Sequence, residues 1–249
     1  MIRATIFTYR GDEAETIECL RCAKMSMPDA VFSIVDDASD PVDIETVAVI
    51  VAEGASYRQS DFPRNKNLNG VECVRGILAE LTRDVDPNDV VVKIDPDTAI
   101  LDAEWLCALN NSVTVYVSSG DDHVLVYGCT YAMTGRAAIM ARDVANTTDL
   151  QGRCPEDDTI AMIIYNLFTL SSMILHRPWT LDKPTPWTAF NWQSMTATPE
   201  DYVLNNDFAV VITGSPRNPN HQIQSRADCI RRLRLTKWSL SQLGKFQIA

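Results

Sequence analysis

The segment Val90-Val91-Val92-Lys93-Ile94-Asp95-Pro96-Asp97 decides how the rest of the chain is read. An apolar, β-branched run ends abruptly in two carboxylates one residue apart. Such a run reads as a strand buried on both faces, and Pro96, with no N–H to donate, stops the ladder. Asp95 and Asp97 therefore fall at the carboxyl end of a central strand, where open α/β sheets place their ligands. Two acids so close repel each other unless a cation lies between them, and a hard divalent ion shared with phosphate oxygens satisfies both. A strand that merely ends in a polar turn uses the same residue types, since Asp and Pro are common turn residues.

Outward from this segment the first half alternates strand and helix. A strand at 3–9 precedes an amphipathic helix near 12–26, with Ala14, Ile17, Leu20 and Cys22 as its inward face. Val31-Phe32-Ser33-Ile34-Val35 is a second buried strand that ends in Asp36-Asp37. A helix near 42–53 follows, with Gly54 placed to cap it. A short strand near 55–60 then leads into the polar loop 63–67, and a helix near 69–83 returns the chain to 89–95. This βαβ rhythm predicts a mainly parallel sheet with right-handed crossovers, an α/β fold. Beyond Asp97 the pattern loosens. A short helix is expected at 101–109, strands of opposite direction at 113–117 and 124–127, helices at 135–146 and 157–168, a strand at 208–212 and a terminal helix at 223–243. Segment 171–208, rich in Trp, Pro, Thr and Asn, shows no period.

At 249 residues and 46% apolar composition, the chain suits one large α/β domain. A net charge of −11 argues against general nucleic-acid binding, which needs clustered Lys and Arg. The one basic cluster is Arg231, Arg232, Arg234 and Lys237. No apolar span is long enough to cross a bilayer, and the start lacks the pattern of a signal peptide. Seven cysteines, an odd number, fit free thiols in a reducing cytoplasm. Cys19 and Cys22 form a CxxC, but no second pair stands at zinc-site spacing.

Three strand-end signals fall in a recognisable order: Thr8-Tyr9-Arg10, then Asp36-Asp37-Ala38-Ser39, then Asp95-Pro96-Asp97. Gly128-Cys129-Thr130-Tyr131, Gly135-Arg136 and Pro155-Glu156-Asp157-Asp158 come later. Together they resemble a GT-A glycosyltransferase of the family 2 type over roughly residues 3–170. The resemblance implies a single GT-A domain: a nucleotide-binding half to about residue 100, an acceptor half to about 222, and the terminal helix. It implies transfer, with inversion, of a sugar from a nucleotide sugar, a UDP-sugar by the strand-end acids, to a hydroxyl acceptor. Asp36 or Asp37 would accept from the uracil N3–H; Ala38 stands where the family has Gly. Thr8, Tyr9 and Arg10 would line the nucleotide. The segment Arg64-Asn65-Lys66-Asn67-Leu68-Asn69-Gly70 matches the family's nucleotide loop loosely, so that Arg64, Lys66 and Asn69 would lie along the diphosphate. Asp97 and Asp95 would hold Mn²⁺ or Mg²⁺, with His221 as a late metal ligand. Asp157 would be the general base, or Asp158 if the register is off by one. Trp187, Trp192 and Tyr131 would face the acceptor. The family's processive members carry a Gln-x-x-Arg-Trp motif and membrane spans, and both are missing here.

Two rivals stay open on the residues alone. A sugar-phosphate nucleotidyltransferase also carries metal-binding acids on such a sheet, but needs a Gly-rich basic loop after the first strand, where this chain has Thr8-Tyr9-Arg10-Gly11-Asp12. A nucleotide-sugar or glycan-binding protein on the same scaffold would have no need of the Glu156-Asp157 acids.

Overall fold

A computed structural model describes residues 1–62, 70–110, 115–118, 130–150, 156–168, 173–176, 189–191, 209–213 and 226–246. Ten strands and six α-helices are described: β1 (Ile2–Thr8), α1 (Glu13–Ser26), β2 (Val31–Asp36), α2 (Ile44–Ala52), β3 (Ser56–Gln59), α3 (Val71–Leu81), β4 (Val90–Ile94), β5 (Thr98–Ile100), β6 (Val115–Ser118), β7 (Thr130–Thr134), α4 (Gly135–Thr147), α5 (Glu156–Leu167), β8 (Met173–His176), β9 (Ala189–Asn191), β10 (Val210–Ile212) and α6 (Arg226–Phe246). The short helix expected at 101–109 is a 3₁₀ turn, Glu104–Ala108. The strand expected at 124–127 lies outside the described residues.

Seven strands form the main sheet in the order β3-β2-β1-β4-β7-β6-β8, and β5-β10-β9 form a small second sheet. The quartet β3-β2-β1-β4 is all parallel, as the βαβ rhythm predicts, so β1, β2 and β4 end at one edge. Register places Thr8 beside Asp36 and Ile6 beside Ile94, which sets the ends of the three strands side by side. β7 was not expected as a strand. It pairs antiparallel with β4, and Tyr131 stands opposite Lys93.

Alternation along the strands builds two cores. Ile6, Ile34, Val92 and Ile94 pack under α1, α2 and α6. Phe7, Val35 and Val91, one residue out of phase, pack under α3, α4 and α5. Asp43 caps α2 by accepting from the Thr46 amide at 2.6 Å, and Gly54, at φ +81°, takes the left-handed turn beyond its end. The buried face of α1 is Thr16, Cys19, Leu20, Cys22 and Ala23, which corrects the expected face: Ala14 is exposed. The rotation has a polar cause, because Thr16 meets the buried Thr8 hydroxyl at 2.6 Å. Both CxxC thiols are buried and donate to carbonyls, Cys19 to Asp95 and Cys22 to Ile100. They join α1 to the β4–β5 turn.

Candidate active site

Beyond the ends of β1 and β2 lies a small cleft lined by Phe7, Thr8, Val35, Asp36, Asp37, Ser60 and Phe62. The Phe62 ring lies directly on Gly76 of α3, where any β-carbon would collide with it. Asp36, wholly buried, accepts on Oδ2 from the Tyr57 hydroxyl at 2.6 Å and from the Val42 amide at 3.0 Å. Its Oδ1 is buried and finds no hydrogen-bond donor among the described residues. Burial pushes the Asp36 carboxyl up, against the Tyr57 and Val42 bonds. Asp37 has a different duty: its Oδ1 accepts from the amide and the hydroxyl of Ser39 and shapes the turn. Of the two acids, Asp36 is the one with a buried acceptor left unused.

Asp95 and Asp97 straddle the end of β4. The Lys93 ammonium, wholly buried in the core beneath α3, α4 and α5, holds Asp95 Oδ1 at 2.6 Å and lies 3.4 Å from Glu156 Oε2. The second Glu156 oxygen, Oε1, accepts from the Tyr131 hydroxyl at 2.8 Å, and the Tyr131 ring lies 5.8 Å from the ammonium. On the opposite side, Arg226 at the start of α6 pairs with Asp12 at 3.0 Å and Glu15 at 3.3 Å, and reaches Asp97 at 4.0 Å. The Asp97 main-chain oxygen is fixed by the amide and hydroxyl of Thr213. Burial, then the charges of Asp95 and Asp12, push the Asp97 carboxyl up to about 7, while Arg226 and Lys93 pull it down.

Five carboxylates (Asp12, Glu15, Asp95, Asp97 and Glu156) thus meet two cations, Lys93 and Arg226. The surplus of negative charge suits a hard divalent ion, which Asp95 and Asp97 could hold. Among the described residues no three His, Cys, Asp or Glu side chains are already gathered as a cage. A site of this kind takes its remaining ligands from phosphate and water.

No protein-family model matches the chain, and no curated protein matches its sequence. Solved structures do match. The galactosyltransferase LgtC, in complex with donor and acceptor sugar analogs, superposes with TM-score 0.51 at 14% identity, covering 96% of either chain. GlyE of Streptococcus pneumoniae TIGR4 matches with TM-score 0.52 at 10% identity, over 96% of this chain and 62% of its own. The bifunctional WbbM matches with TM-score 0.54 at 11% identity, over 94% of this chain and 49% of its own. The fold is that of the GT-A glycosyltransferases. These neighbours do not single out the family 2 type.

Within the GT-A fold the expected site residues separate into three groups. Asp36, Asp95, Asp97 and the start of α5 come together around the strand-end edge. Asp157 is half-buried, and burial pushes its carboxyl up while Lys93 pulls it down; Asp158 is exposed. Thr8 lines the cleft, Tyr9 begins the turn into α1, and Arg10 is exposed and pairs with Asp40 at 3.0 Å. Tyr131 departs from expectation. It is 1% exposed, with its hydroxyl on Glu156, so it supports the site from beneath and does not face an acceptor. Arg64, Lys66, Asn69, Trp187, Trp192 and His221 lie outside the described residues.

Sequence reasoning overlooked Lys93, Glu156 in its buried role, and Arg226. The signal for Lys93 was present: a lone cation inside Val-Val-Val-Lys-Ile demands a buried partner. Arg226 gave no such signal, because only the fold brings it to Asp97.

Proposed function

We propose that the protein is a metal-dependent, inverting glycosyltransferase that moves a sugar from a UDP-sugar to a hydroxyl acceptor. The observation that carries the reading is Asp36 Oδ1, a buried acceptor without a donor among the described residues, at the wall of a cleft beside the acid pair. A pyrimidine N3–H supplies the missing donor. β1 lies between β2 and β4, so a nucleotide with its base at Asp36 would carry its diphosphate toward Asp95 and Asp97.

In this reading Asp36 selects the base, while Asp95 and Asp97 hold Mn²⁺ or Mg²⁺. A divalent ion there supplies Lewis acidity that offsets charge on the departing nucleoside diphosphate. Asp157, opening α5, takes the proton of the acceptor hydroxyl as that oxygen attacks the anomeric carbon from the face opposite the diphosphate. Its raised carboxyl is better matched to this task than an ordinary aspartate. Inversion follows from a single displacement. Glu156 cannot take the role, because it is 3% exposed and bound to Tyr131 and Lys93.

Calorimetry tests the donor site. Asp97→Asn lowers UDP affinity at fixed Mn²⁺ by about tenfold or more, as expected when a charged ligand is lost. Asp36→Asn keeps an oxygen for Tyr57 and Val42 but turns an NH₂ toward the base. It should weaken UDP by about tenfold, roughly the worth of one hydrogen bond, and leave pyrophosphate binding alone. Equal losses for UDP and pyrophosphate in Asp36→Asn would remove the base-binding role, and unchanged UDP affinity in Asp97→Asn would remove the metal assignment.

A further inference from the structure

Lys93 is the one cation in the apolar core beneath α3, α4 and α5 among the described residues, and it stands in the central strand of the sheet. Its neighbours on β4 are Val91, Val92 and Ile94, all buried. A buried ion pair of this kind is at best a modest stabiliser, and apolar replacements are often as stable or more so. The charges must therefore be explained by geometry. Lys93 holds one oxygen of Asp95 at 2.6 Å, leaving the other to the 24% of the side chain that is exposed at the strand end. The same ammonium meets Glu156, the first residue of α5, and Tyr131 on β7 braces Glu156 from its second oxygen. Asp95 belongs to the donor side and Asp157 directly follows Glu156. One buried cation thus joins the two halves of the site.

We propose that Lys93 is a positioning residue: it fixes the rotamer of Asp95 toward the donor and, through Glu156, ties the first turn of α5 to the end of β4. The inference rests on the transfer reading above. Lys93 touches neither donor nor acceptor, and acts as a permanent charge. Its three donors on one nitrogen suit a junction of several acceptors better than the planar fork of arginine, so Lys93→Arg is not a conservative replacement here.

The test uses Glu156→Gln, which keeps the Lys93–Asp95 bond and weakens the tie to α5, and the double variant Lys93→Met/Glu156→Gln, which removes both charges so that neither is left buried alone. In Glu156→Gln, Mn²⁺–UDP affinity stays within about threefold and kcat falls by about tenfold or more at unchanged donor KM, the pattern of a loss confined to the transition state. In the double variant, with thermal stability near that of the parent, Mn²⁺–UDP affinity falls as well, by about tenfold. Amide hydrogen exchange reads the tie without any ligand. Both variants speed exchange at residues 95, 97 and 98 and at 160–163 together by about tenfold, and leave 36–39 unchanged. Exchange that rises only next to the substituted residue, or a stable double variant with parental Mn²⁺–UDP affinity and kcat, overturns the proposal. Should the double variant fail to fold, Glu156→Gln decides alone, through kcat and the linked exchange. A parent protein that neither binds UDP nor turns over a UDP-sugar would defeat the transfer reading instead, and the exchange data would still judge Lys93.

Discussion

Asp157 and Asp158 are adjacent acids in the same helical turn, and both are favoured there by the helix dipole. Their surroundings separate them. Asp157 is half-buried and within the field of Lys93, whereas Asp158 points to solvent. Asp157 combines a raised carboxyl with the inward position that proton transfer requires. Asp157→Asn should leave UDP affinity within about threefold and lower kcat by about 10²–10⁴, the range for a lost general base. Asp158→Asn should change kcat by less than about threefold. Steady-state kinetics with isothermal titration of UDP separates the two quantities. A larger loss in Asp158→Asn would shift the role one position along the turn.

At the scale of elements, α6 bears on the site more than its place in the sequence suggests. It packs along α1, and Arg234 pairs with Glu18 at 2.7 Å while Arg226 joins Asp12, Glu15 and Asp97. Arg231 and Arg234, members of the basic cluster in the sequence, pair within the protein with Asp228 and Glu18. Arg226 lies 4.0 Å from Asp97, the distance at which a like charge competes with a bound metal. In Arg226→Gln, Mn²⁺ alone should therefore bind about fivefold more tightly, because Asp97 loses a neighbouring cation. The same change should lower stability by about 1–3 kcal/mol, less than a fully buried orphaned charge costs, since Arg226 is a quarter exposed. Mn²⁺ titration followed by electron paramagnetic resonance, with thermal unfolding, checks both. Weaker Mn²⁺ binding would mean that Arg226 orders Asp97 more than it repels the ion.

For the whole molecule, four acids at or near the site shift in the same direction. Burial raises Asp36, Asp97, Glu156 and Asp157, with Asp97 at about 7. A carboxyl whose folded pKa lies above its unfolded value contributes stability below the unfolded pKa and loses it as pH rises through the folded one. Three acids away from the site run the other way, and at Asp43 the hydrogen bonds from Thr46 are the cause. Burial raises Glu80 and Asp89, but Arg83 and Arg58 on Glu80, and Arg3 on Asp89, outweigh it and hold both low. All three contribute stability that is lost as pH falls through their lowered values. Metal-free protein should thus be most stable in mild acid, and its Tm should fall by about 5 °C as pH rises from about 5 to 8. Saturating Mn²⁺ should remove most of that fall by stabilising the ionised acids, and Asp97→Asn should flatten the metal-free curve. A metal-free Tm that climbs steadily toward pH 8 would contradict the shared burial of these acids.

The sequence by itself determined the elements whose signals are local. The β-branched run 90–94, the second strand 31–35, the Gly54 helix end and the acids at strand ends are all dictated by propensity, periodicity and turn chemistry over a few residues. It likewise offered Asp36 or Asp37 and the Asp95–Asp97 pair, because a carboxylate at the end of a buried strand is visible within its own segment, while Asp157 or Asp158 entered through the family resemblance. The tertiary structure alone decided what those acids face. β7 escaped notice because its antiparallel place beside β4 depends on a partner 37 residues away. Tyr131 moved from the acceptor side to the core once that pairing set it opposite Lys93. Arg226, 214 residues from Asp12, reaches the site only because α6 lies along α1. Charge compensation acts through space, so which acid meets which cation is settled by packing and leaves no mark on the spacing of the chain.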